Sequence, residues 1–157
     1  MKFEWLFHHC LKCDEMSHEE EGKRVTLKRT AGETVLFFTV DGKPFDALHG
    51  NNTPRCDLLV ARKQRNREGA NLLFVELKGS DLGKAVQQLG KTIDLVRNAM
   101  DRAVWDATRK AALVVMSGGS PPDQKDVQKK FLESRQMSLL IKSGIKKNAV
   151  DIRQYLE

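Results

Sequence analysis

From Leu82 onward the chain places apolar residues at Leu82, Ala85, Val86, Leu89, Ile93, Val96, Met100, Ala103 and Val104. Steps of three and four put all of them on one face of a helix. Gly79-Ser80 breaks the preceding segment, and Ser80 or Asp81 can cap the helix. Such a face must bury itself against another layer. The segment just before it, Asn71 to Lys78, is rich in apolar and β-favouring residues and predicts a strand. A long amphipathic helix fed directly by a strand predicts α/β packing.

The remaining elements extend that pattern. Alternation over Arg24 to Thr30, and the β-branched and aromatic run Glu33 to Val40, predict two strands separated by Ala31-Gly32. Cys56 to Ala61, Ala111 to Met116 and Met137 to Lys142 predict three more, and Asp123 to Arg135 a second helix. The first twenty-two residues have no clear period, Lys43 to Pro54 resembles a loop, and Asn148 to Leu156 fits either a strand or a short helix. Strands first, then helix–strand–helix–strand, imply an α/β (α+β mixed sheet) domain with helices on its flanks. The chain of 157 residues is expected to form one domain, with its core over residues 24–142.

Composition narrows the function classes. No run approaches the roughly 18 apolar residues of a membrane span. The N-terminal Met1 to Phe7 has neither a long apolar stretch nor a small-residue cleavage site, so a cytoplasmic protein is expected. Three cysteines exclude a complete disulfide framework. A net charge of +6 suits a polyanionic partner without requiring one.

The chemistry centres on two strands joined by Arg62 to Ala70. So short a connection makes an antiparallel hairpin the simple arrangement. With its turn near Asn66, Asp57 falls opposite Val75 or Glu76, and Lys78 projects from the same face as Glu76. Two carboxylates and an ammonium then meet at one end of the hairpin, inside apolar strands where charge is costly. Asp57 and Glu76 can hold a hard divalent cation, with the Leu77 carbonyl as a further ligand. Such a cation activates water and shields phosphate charge, and Lys78 can orient or deprotonate that water.

Asp57, a gap of eighteen residues, Glu76-Leu77-Lys78 and the following amphipathic helix resemble the PD-(D/E)XK nuclease superfamily. The resemblance covers roughly Arg55 to Met116. It implies a restriction-endonuclease-like core, Mg²⁺ or Mn²⁺ at Asp57 and Glu76, and a catalytic role for Lys78. It also implies a glutamine in the site, Gln88 or its neighbour Gln87. Cys56 stands where the name-giving motif has proline. Some members add an acidic residue from nearer the N-terminus, for which Glu33 and the run Glu19, Glu20 and Glu21 compete.

Other features have plainer readings. Cys10 and Cys13 have the spacing of half a zinc site, which His8, His9 or His18 would complete, but the second cysteine pair is missing. The cluster Arg62 to Arg67 lies at the far end of the hairpin, about 15 Å or more from Asp57. Lys84 and Lys91 on the helix are closer candidates for nucleic-acid contact. Ser117 to Ser120 lacks the ending of a phosphate-binding loop. Trp5, Phe7 and Trp105 are expected in the core.

The resulting expectation is metal-dependent phosphodiester hydrolysis, with DNA favoured over RNA, in defence or repair. Specificity is expected from substrate structure, a homodimer or a protein partner. The rival from another class is a non-catalytic nucleic-acid-binding or interaction protein that keeps the fold.

Overall fold

A computed structural model describes residues 4–12, 16–50, 53–145 and 149–156. The elements are α1 (Glu4–His9), β1 (Leu11–Lys12), β2 (Ser17–Glu20), β3 (Lys23–Thr26), β4 (Glu33–Thr39), α2 (Lys43–His49), β5 (Leu58–Gln64), β6 (Asn71–Lys78), α3 (Leu82–Ala99), α4 (Arg102–Ala107), β7 (Arg109–Met116), α5 (Gln124–Arg135), β8 (Ser138–Lys142) and β9 (Ala149–Asp151), followed by a 3₁₀ turn (Arg153–Tyr155). Six strands form a central sheet in the order β1-β4-β5-β6-β7-β8. It is antiparallel from β1 to β6 and parallel from β6 to β8, so it is a mixed sheet flanked by helices. A small sheet, β2-β3-β9, accompanies it. No helix among the described residues is long and apolar enough to cross a membrane.

The central strand β6 explains its own sequence. Its even-numbered residues Leu72 and Phe74 join a core with Leu89, Ile93 and Val96 of α3 and Phe131 of α5. Its odd-numbered residues Leu73, Val75 and Leu77 join a second core with Val25, Leu27, Val150 and Ile152. A strand covered on both faces reads as a continuous apolar run, not as an alternation. Each buried side chain of this size contributes about 1.5–3 kcal/mol over its exposed state. Glu76 and Lys78 belong to the even set and therefore share the α3 side.

Four expectations change. The N-terminal segment, read as irregular, contains α1, β1 and β2. β2 pairs with β3 through Glu21-Gly22, both at positive φ (46° and 73°). Such a two-residue turn matches strand twist, and the acidic run hid it. The region Lys43 to Pro54 contains α2, where Pro44 occupies the first turn and needs no amide partner. The long helix stops at Ala99, and Asp101 caps a separate α4 by accepting from the amides of Ala103 and Val104. The tail holds both a strand and a 3₁₀ turn.

Candidate metal centre

The hairpin of β5 and β6 sets the register. Leu58 faces Val75, which by continuation brings Asp57 opposite Glu76. Asp57 sits one residue before β5 and is 2% exposed; Glu76, near the end of β6, is 1% exposed. Asp57 Oδ2 accepts a hydrogen bond from the Leu77 amide at 2.6 Å. Glu76 Oε1 lies 3.4 Å from Lys78 Nζ. Glu76 Oε2 is buried and has no hydrogen-bond partner among the described residues. An orphaned carboxylate oxygen costs a large desolvation penalty unless something binds it.

Two more carboxylates gather around Asp57. Oxygens of Glu20, Asp41 and Asp57 all lie within 4.8 Å of one another. Glu20 ends β2, and the hairpin turn that follows presents it to the end of the central sheet. Asp41 follows β4, where the Val40 amide donates to the Asp57 carbonyl at 3.0 Å. Burial is the main cause that pushes the Asp57 carboxyl well above its ordinary range, with the Glu76 charge next; the Leu77 amide opposes both. Burial also raises Glu76, against the pull of Lys78 and with a further push from Glu20 and Asp41. Like charges gathered in a low-dielectric pocket hold protons or bind a cation. Oxygen-only donors of this number suit a hard divalent ion.

A hydrogen-bond chain fixes the lysine. Lys78 Nζ donates to Gln88 Oε1 at 2.9 Å, and Gln88 Nε2 donates to the Arg55 carbonyl at 2.9 Å. Gln88, not the exposed Gln87, is therefore the glutamine beside the carboxylates. Arg55 is buried, and its guanidinium donates to Asp41 Oδ1 at 2.8 Å and to Asp46. One residue thus orients Asp41 through its side chain and Gln88 through its backbone. The Cys56 amide donates to Thr92 Oγ1 of α3 at 2.8 Å. A proline at that position would have no N–H to give. The Cys56 thiol is fully buried, and burial raises it far above the usual range.

Glu33 is not part of this centre. It pairs with Arg62 and Arg153, and its side chain is 1% exposed. Arg153 beside it, then its other donors, hold its carboxyl well below the ordinary range. Arg62 is accordingly a buried β5 residue, while Arg65 and Arg67 are exposed at the hairpin tip. Cys10 packs into the core and burial lifts its thiol to about 11; Cys13 lies outside the described residues. Trp105 is buried and Trp5 half-buried against Phe45. Lys84 and Lys91 are exposed on α3.

Sequence reasoning missed Asp41 and Arg55. Asp41-Gly42 reads as a turn, and Arg55 as the edge of a loop. Their one signal is the β4–β5 pairing, Thr39 with Leu58, which carries Asp41 alongside Cys56 and Asp57. The chain has no significant match to any protein-family model, curated protein or solved structure.

Proposed function

We propose that the chain is a divalent-metal-dependent nuclease with a restriction-endonuclease-like core. The observation that supports it most is the buried Glu76 Oε2, without a hydrogen-bond partner among the described residues, opposite Asp57 and its neighbours Glu20 and Asp41. Asp57 and Glu76 would hold Mg²⁺ or Mn²⁺, with Glu20, Asp41 and the Leu77 carbonyl as further donors. The ion, when bound, lowers the pKa of its water and offsets charge developing on a phosphate. Lys78 does the rest from this chain. Its ammonium has three N–H groups; among the described residues Glu76 and Gln88 engage two, and the third can meet a phosphate oxygen. Gln88 and Glu76 fix the ammonium before substrate arrives, so little reorganisation is needed at reaction.

DNA is the favoured substrate, a cytoplasmic role in defence or repair the favoured setting, and a homodimer or protein partner the source of specificity. The test is incubation with supercoiled, linear and single-stranded DNA and with RNA, in Mg²⁺, Mn²⁺ or EDTA. Wild type is compared with Asp57→Ala and Lys78→Ala, each checked for folding by circular dichroism. Cation-dependent cleavage lost in both variants is the expected result. Equal activity in folded variants would overturn the assignment; turnover of RNA alone would reassign the substrate.

A further inference from the structure

α3 and α5 lie side by side on one face of the central sheet. Arg135, the last residue of α5, pairs with Asp94 of α3. It passes over Gly90, where a Cβ would stand 2.9 Å from Arg135 Nη2. Between the helices runs a groove of about 670 Å³, walled by Pro54, Val86, Gln87, Lys91 and Lys130. A second hollow of about 230 Å³ shares Pro54 and Gln87 with it and is lined by Asp41, Arg55, Lys84 and Gln88. The groove therefore adjoins a hollow that reaches Asp41 and the glutamine that holds Lys78.

Its charge is one-sided. Lys84, Lys91 and Lys130 are exposed and form no ion pair among the described residues. The groove's carboxylate, Asp94, is neutralised by Arg135. We propose that this groove carries a single strand of nucleic acid into the carboxylate cluster, with Lys84, Lys91 and Lys130 on its phosphates. The inference rests on the nuclease reading and adds the substrate's form and path. Lys84 and Lys91 are two turns apart on α3, about 10 Å, far enough for each to meet a different phosphate of one strand. A cleft of about 670 Å³ is in the range of small-ligand sites, a size that suits a few nucleotides of one strand.

The test is fluorescence anisotropy with a labelled twelve-residue oligothymidylate, its oligouridylate counterpart and a blunt duplex, in EDTA and over a salt series. Wild type is expected to bind the single strands more tightly than the duplex. Lys91→Ala/Lys130→Ala is expected to weaken binding at least tenfold and to reduce the salt slope by about 0.7 for each phosphate that is no longer neutralised. Arg65→Ala/Arg67→Ala, at the hairpin tip, is expected to leave both unchanged. Unaltered binding by the lysine variant, weakening confined to the hairpin-tip variant, tighter duplex binding, or no binding by wild type would each overturn the inference. Cleavage is scored separately in Mn²⁺. Cleavage by wild type with unaltered strand binding by the lysine variant sinks the groove alone. Groove-dependent binding without cleavage sinks the hydrolytic reading alone.

Discussion

Gln88 and Lys78 are bound to each other across the junction of α3 and β6, Nζ to Oε1 at 2.9 Å, and the glutamine is itself anchored on the Arg55 carbonyl. The ammonium is thereby held over the carboxylates by a helix, a strand and the segment that leads into Asp57. A lysine with free rotamers would have to be ordered at each turnover; this one is ordered in advance.

Two variants separate the chemical group from its support. Lys78→Ala should lower kcat by about a hundredfold or more, the usual span of a positioned proton-transfer group. Gln88→Ala should cost about tenfold in kcat with KM and cation affinity little changed, because the ammonium remains but is less fixed. Steady-state kinetics on one oligonucleotide substrate checks both. A defect in Gln88→Ala confined to KM would contradict the positioning role.

Cation binding should be visible without substrate. A ligand that binds only the folded state at a hundredfold excess over its Kd adds about 2.7 kcal/mol. Thermal melts should therefore rise by several degrees on adding Mn²⁺ or Mg²⁺. Asp57→Asn should abolish the rise while leaving the metal-free protein at least as stable, since it removes a carboxyl whose ionisation burial and the Glu76 charge oppose. A wild-type melt indifferent to both cations would remove the metal centre.

The pH dependence of metal-free stability has a definite sign. Asp57 and Glu76 are raised on folding, so from the ordinary carboxylate range near about pH 4 upward the folded state binds more protons than the unfolded one. Their contribution is full at acid pH and is lost as pH rises toward their raised values. Denaturant midpoints in EDTA should fall between about pH 5 and about pH 8, and Asp57→Asn should flatten the fall. Glu33 has the opposite sign: it is lowered, and its contribution disappears as pH drops below about 4. A midpoint that rises over the first window would contradict the burial of the acidic pair.

Glu33→Gln isolates structure from chemistry. It removes a carboxylate that serves two arginines and leaves Arg62, 4% exposed, without that partner. Breaking such a buried pair costs about 3 kcal/mol or more. Urea unfolding should show that destabilisation, while cleavage per folded molecule stays as in wild type. A selective drop in cleavage with stability intact would return Glu33 to the site.

Local signals carried much of this protein. The apolar run of β6 and the three-four spacing of α3 reflect burial that each element needs whatever its neighbours are, so both could be read directly. The short link between β5 and β6 permitted few registers, and the one adopted brings Asp57 opposite Glu76. Contacts between distant segments could not be read in this way. Glu20 reaches the cluster only because β2 folds back on β3, and Asp41 only because β4 lies beside β5. Glu33, a reasonable candidate by order alone, lies at the opposite end of β4 from Asp41 and pairs with Arg153 from the tail. Spacing along the chain determined the hairpin pair and its lysine, because those residues are near neighbours in sequence. Which other carboxylates join them was decided by tertiary structure, because charges separated by tens of residues meet only once the sheet has assembled.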